Sequence, residues 1–194
     1  MLFRSEPFSR VGPAVSIFGS SRIKRGHRYY KLAERMAAHL AKEGYAIITG
    51  AGPGIMEAAN KGASRVGGQS IGLNILIPLV QKPNRYVKTL LDFRYFFSRK
   101  VMFAKYSKAF VIMPGGYGTL DEFSEGLTLI QTERVKPFPV ILVGRDYWKG
   151  MVGWMKSKML KEDCITRPDL NIFRMADTPA EVLKQINDFY QTKK

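Results

Sequence analysis

Two short stretches hold the residues best suited to chemistry. Residues 114–122 read PGGYGTLDE and residues 98–103 read SRKVMF. In the first, Gly115, Gly116 and Gly118 let a ligand approach the main chain, and Thr119 adds a hydroxyl, just ahead of a helical run. Amides at a helix start lack carbonyl partners and sit at the positive end of the helix dipole, so such a turn favours phosphate. The stretch then reaches an acid, Glu122. Directly against a phosphate a carboxylate is repelled; a short distance away it meets the sugar. There it can stabilise an oxocarbenium-like ribosyl centre and orient or deprotonate water, the chemistry of N-glycosidic cleavage. Arg99 offers a planar cation that fixes phosphate or other oxygens and helps hold the carboxylate, with Arg94 and Lys100 as alternatives.

Each of these features also has a plainer reading. Thr119 and Glu122 form a T-x-x-E capping box, with Thr119 at the helix cap. Glycines build tight turns without any ligand, and helical arginines are mostly solvated. The case rests on recurrence. Three glycine-rich connections, FGSSRIKRG at 18–26, TGAGPG at 49–54 and MPGGYGT at 113–119, each follow an apolar run. They place Gly19, Ser20, Ser21, Gly52 and Gly54 alongside the 115–119 turn as candidate ligand or supporting residues. TGAGPG lacks the G-x-G-x-x-G spacing, and no G-x-x-x-x-G-K-[ST] loop is present, so neither a dinucleotide fingerprint nor a P-loop describes the chain.

The elements that must position these corners follow from apolar patterning. Residues 14–19, 45–50, 70–77, 109–113, 139–143 and 171–175 read as strands. Tyr29, Ala33, Met36, Ala37 and Leu40 recur at helical spacing and predict a helix over 27–43, ended by Gly44. Further helices are expected from Ile55 to Ala63, through most of 85–108 with a break near Phe93, over 120–131, after Tyr147, and from Thr178 to Phe189. Short apolar strands alternating with helices imply an α/β fold, a Rossmann-like open, mostly parallel sheet with helices on both faces. Ligands in such sheets sit beyond the carboxyl ends of the strands, where the three glycine corners fall. The reading is an irregular N-terminal arm over 1–13 followed by one domain over 14–194.

Bulk properties narrow the class. The 194 residues suit one domain, and 45% apolar content argues against disorder. No apolar run is long enough to span a bilayer, and the start lacks a secretory pattern, so a cytoplasmic protein is expected. One cysteine, Cys164, and two histidines, His27 and His39, predict neither a disulfide nor a metal site. The formal charge of +15 attracts phosphorylated ligands and polyanions alike. Its spread over many segments, without an aromatic RNP motif, makes nucleic acid the weaker choice.

PGGYGTLDE joined to an upstream Arg99-Lys100 resembles the LOG family, the cytokinin riboside 5'-monophosphate phosphoribohydrolases once labelled lysine decarboxylases. FGSSR at 18–22 and GPGIMEAANKGA at 52–63 also match, and the likeness runs from about Val15 to Asn187. Where short plant-type members carry GGG and MHERK, this chain has Gly50-Ala51-Gly52 and FFSRK; FRYFFSRK and LTLIQTERVKPFPVILVG resemble the bacterial branch. The resemblance implies a Rossmann-like homodimer, or a higher oligomer built from dimers. It implies hydrolysis of a purine nucleoside 5'-monophosphate, AMP or a cytokinin nucleotide, to free base and ribose 5-phosphate, with no cofactor. Arg99 and Glu122 would be catalytic; Gly115, Gly116, Gly118 and Thr119 would hold the phosphate, with Ser21 beside them. From the residues themselves, Tyr95, Phe96 or Phe97 could stack on the base, or serve equally as core or interface residues. The alternative is a nucleotide-binding or signalling protein that uses the same pocket without turnover.

Overall fold

In the computed structural model the described residues are 11–76 and 82–191. Seven strands form one sheet: β1 (Ala14–Phe18), β2 (Ala46–Thr49), β3 (Ser70–Ile75), β4 (Thr89–Phe93), β5 (Ser107–Ile112), β6 (Val140–Val143) and β7 (Phe173–Ala176). Their order is β4-β3-β2-β1-β5-β6-β7, and every neighbouring pair is parallel. Among the described residues, five α-helices connect strands, α1 (Arg28–Lys42), α2 (Ile55–Arg65), α3 (Phe96–Tyr106), α4 (Tyr117–Gln131) and α5 (Arg145–Trp154), and α6 (Pro179–Gln191) follows β7.

Side-chain alternation along the strands builds two cores. Val15 and Ile17 of β1, with Ala109 and Val111 of β5, face α1, α2 and α6. Ala14 and Phe18, with Phe110 and Ile112, face the opposite layer, where Phe103 of α3, Phe123 of α4 and Trp148 of α5 pack. Both faces being covered explains why β1, β2 and β6 are buried at every position and read as continuous apolar runs. His27 opens α1 by accepting the Tyr29 amide on its Nδ1, and Gly44, at φ 86°, lets the chain turn back into β2.

The structure corrects the sequence reading over residues 85–95. Residues 89–93 form an edge strand, not part of a helix. β4 pairs with β3 from Thr89 opposite Ile71 to Phe93 opposite Ile75, and α3 starts only at Phe96. Its residues are exposed or half-buried, so the strand carries no continuous apolar signature. β3 ends at Ile75; Ile77 and Pro78 lie outside the described residues, as does most of the expected arm over 1–13. Among the described residues no helix is long and apolar enough to cross a membrane.

Candidate functional site

β1 and β5 lie side by side at the sheet centre, and the chain leaves them toward opposite faces. This is the topological switch point of an open α/β sheet, where the diverging connections leave a crevice. Here the crevice is a cavity of about 960 Å³. Gly19, Ser20 and Ser21 line it from the first corner, Gly50 and Met56 from the second, and residues 114–119 from the third. Phe96, Arg99 and Glu122 close one side; His27, Tyr29 and Tyr147 stand among the other lining residues.

The phosphate-suited turn is built differently from a capping box. α4 begins at Tyr117, capped by Gly116 in extended conformation, and no side chain bonds the cap. The amides of Thr119 and Leu120 both donate to the Gly116 carbonyl at 3.0 Å. Thr119 therefore sits in the first turn rather than at the cap, and Glu122 lies beyond the reach of any capping box. The extended backbone at Gly116 is what advances the helix start. The amides of Tyr117 and Gly118 open the helix, where no intrahelical carbonyl is in reach. A side chain on Gly115 would run into the Thr119 hydroxyl, so this close approach requires glycine. Two backbone carbonyls of the turn are tied from outside: the Ser20 amide donates to Pro114 O at 3.0 Å, and the Tyr147 hydroxyl donates to Gly115 O at 2.8 Å.

Glu122 is only 8% exposed, and its Oε2 is buried without a hydrogen-bond partner. Burial pushes its pKa up to about 7, against the opposing pull of the Arg99 charge. Arg99 is half-buried, with Nε likewise unpartnered, and its guanidinium lies against Gly50, where a side chain would collide with it. Burial lowers the Arg99 pKa and Glu122 raises it; a guanidinium stays charged regardless. A buried acid and a half-buried cation, each with an unpartnered polar atom, thus share one cavity wall.

The remaining expected site residues divide. Gly19 and Ser21 line the cavity, whereas Gly52 does not; Asn84 Nδ2 holds the carbonyls of Ala51 and Gly52, each at 3.0 Å. Gly54, at φ 69°, packs its Cα against the Ser20 carbonyl and borders a neighbouring cavity of about 460 Å³. Arg94 is exposed and lines neither cavity. Lys100 bonds Asp121 at 2.7 Å and reaches Glu125 at 3.5 Å, clasping α3 to α4 beside Arg99 and Glu122. Of the three aromatics, Phe96 lines the cavity, while Tyr95 and Phe97 stack on each other outside it. His27, Tyr29, Met56 and Tyr147 line the cavity without having been singled out as site residues from sequence. Tyr147 had one usable signal, its place just past the carboxyl end of β6, on the same rim as the glycine corners. Among the described residues no group of three or more His, Cys, Asp or Glu stands together as a metal site.

A parallel sheet with its crevice at the switch point and a glycine turn feeding a helix defines an α/β protein of the Rossmann-like class. Within that class, the chain belongs to the family described as "Possible lysine decarboxylase", whose model matches residues 56–186. Its homologues include a probable cytokinin riboside 5'-monophosphate phosphoribohydrolase of Oryza sativa subsp. japonica, 28% identical over 90% of this chain and 72% of the relative. An Arabidopsis thaliana cytokinin riboside 5'-monophosphate phosphoribohydrolase is 28% identical over 88% of this chain and 80% of its own length. Among solved structures, the molybdenum cofactor binding protein of Rippkaea orientalis superposes with a TM-score of 0.67 at 20% identity, covering 93% of this chain and 99% of that one. The molybdenum cofactor carrier protein of Chlamydomonas reinhardtii gives 0.65 at 20% identity, covering 91% and 98%. At that identity these two structures speak for the fold alone.

Proposed function

We propose that the protein hydrolyses the N-glycosidic bond of purine nucleoside 5'-monophosphates, AMP or a cytokinin riboside 5'-monophosphate, to free base and ribose 5-phosphate. One observation carries the reading: a buried Glu122 carboxyl, its Oε2 unpartnered, on the same cavity as Arg99 and the glycine-rich start of α4. The homology to phosphoribohydrolases supports it.

The 5'-phosphate binds the amides of Gly115, Gly116 and Gly118 and the hydroxyl of Thr119, with Ser21 opposite. The helix dipole and the excess positive charge favour the dianion there. Arg99 holds the ribose or the phosphate from the second corner. As the C1'–N bond breaks, its electron pair leaves with the base, which takes a proton from solvent, and positive charge develops on the sugar. The Glu122 carboxylate stabilises that charge and accepts a proton from the water whose oxygen bonds to C1'. The base lies against Phe96 and Met56. Lys100, committed to Asp121 and Glu125, takes no chemical step. FFSRK in place of MHERK favours the bacterial branch and AMP-like substrates. We further propose a cytoplasmic homodimer.

Incubation with a panel of nucleoside 5'-monophosphates, followed by chromatography, tests the reading. Free base and ribose 5-phosphate in equal amounts are expected from the purine members, and loss of turnover with retained phosphate binding in Glu122→Gln. Tight nucleotide binding without base release by the unaltered protein would instead make it a nucleotide sensor.

A further inference from the structure

The 114–118 turn can work as an anion cradle only if its amides are aimed before the ligand arrives. A trans peptide is a rigid plane, so fixing a carbonyl fixes the N–H of the next residue on the opposite edge. No cis peptide occurs among the described residues. Two successive planes are fixed in this way. The first corner's Ser20 amide holds Pro114 O at 3.0 Å, which sets the Gly115 N–H. The Tyr147 hydroxyl holds Gly115 O at 2.8 Å, which sets the Gly116 N–H. The first tie is backbone to backbone. The second is a single side-chain hydroxyl, delivered from α5 across 32 residues.

Tyr147 is itself held for this task. Its ring meets Tyr29 edge-on, with centroids 6.3 Å apart and planes at 79°, and meets Trp148 in the same manner at 4.7 Å and 85°. Gly144, in left-handed conformation at φ 96°, opens α5 and packs between Tyr29 and Pro114: a side chain there would stand 3.2 Å from Tyr29 Cε1 and 3.5 Å from Pro114 Cγ. The start of α5 is therefore docked onto the start of the turn it braces. Without the hydroxyl, the glycines at 115 and 116 have the backbone freedom to turn their shared peptide away.

We infer that Tyr147 is a positioning residue that preorganises the Gly115–Gly116 peptide for the ligand's phosphate. The inference rests on the proposed phosphate site. It assigns Tyr147 no contact with the reacting atoms. Because the amides grip the phosphate equally before and during bond cleavage, the hydroxyl contributes uniform binding.

The test is Tyr147→Phe, which removes the oxygen and keeps the ring in its aromatic packing. Steady-state kinetics with AMP should show KM raised about three- to tenfold, the worth of one hydrogen bond, with a much smaller change in kcat. Calorimetric titration with inorganic phosphate and with ribose 5-phosphate should show Kd raised by the same factor, with the melting temperature nearly unchanged. Equal KM and equal phosphate Kd in the two proteins would overturn the inference. So would a fall in kcat at constant KM, which would mark a role in the chemistry. If the unaltered protein binds phosphate but releases no base, the hydrolase reading falls alone, and the phosphate Kd ratio still decides the role of Tyr147. Failure of the unaltered protein to bind phosphate would remove both.

Discussion

Glu122 concentrates the costs and the uses of this site in one side chain. Burial has moved its pKa up to about 7, so its ionised fraction grows as pH rises through neutrality. A carboxylate that accepts a proton from water works only when ionised. Turnover should therefore climb with pH to a plateau above about 7, following this group's titration. In Glu122→Gln, kcat should drop by about 10²–10³-fold and the limb should vanish. The same shift works against folding. An ordinary carboxyl titrates near 4.5 once the chain unfolds. Between that value and about 7 the unfolded chain releases a proton that the folded chain keeps, so stability falls as pH rises across this window and is level above it. The difference amounts to roughly 3 kcal/mol. Glutamine carries no charge to bury. Glu122→Gln should consequently melt several degrees above the parent at pH 8 and near it at pH 4, as differential scanning calorimetry would show. Activity and stability thus move in opposite directions at one position.

At the scale of elements, the turn before α4 separates packing from binding. A methyl on Gly115 collides with the Thr119 hydroxyl, whereas one on Gly116 or Gly118 meets nothing within 4 Å. Gly115→Ala should displace the turn, lowering both the melting temperature and phosphate affinity. Gly116→Ala should melt within a degree or two of the parent yet bind phosphate more weakly, because the methyl blocks approach to the amides. Calorimetry and phosphate titration on the pair distinguish the two effects. How much of this was readable beforehand depends on range. PGGYGTLDE and SRK could be placed because a glycine turn between a strand and a helix is a local signal. The T-x-x-E cap was misread because Gly116 starts the helix three residues before Thr119, a choice made by backbone conformation and not by the capping pattern. β4 was missed because an edge strand shows neither a continuous apolar run nor clean alternation. Tyr147 and Asn84 act on corners 32 and 33 residues away, so which carbonyl each one holds is set by topology and not by the neighbouring sequence.

Across the whole molecule, charge and exposed surface lead to two further expectations. With a formal +15, the protein attracts a nucleotide dianion from beyond contact range. Raising sodium chloride from about 0.05 to about 0.5 M should lower kcat/KM for AMP about three- to tenfold and leave kcat nearly constant. Retention of RNA at physiological salt would count instead toward a polyanion partner. The second expectation concerns α3, which carries Arg99 on its cavity side. Phe97 and Val101, one turn apart on that helix, are 60% and 49% exposed, with Tyr95 stacked on Phe97. Such a patch next to a ligand site suits a subunit contact. Light scattering should report a multiple of the chain mass, and Phe97→Glu combined with Val101→Glu should reduce it to that of one chain.

All seven strands point the same way, which leaves the two rims of the sheet with unequal duties. Every residue proposed to touch a ligand lies on one rim. Among the described residues, the other rim carries the bends by which α1, α2, α4 and the segment after α5 re-enter strands. Among these bends, residues 132–137 link α4 to β6, and five of the six are exposed. A peptide tag, a fused module or newly cut chain ends spliced there would only lengthen an outward loop, at an entropic expense that grows slowly with length. The scaffold thus comes with a natural attachment port, turned away from everything its chemistry needs.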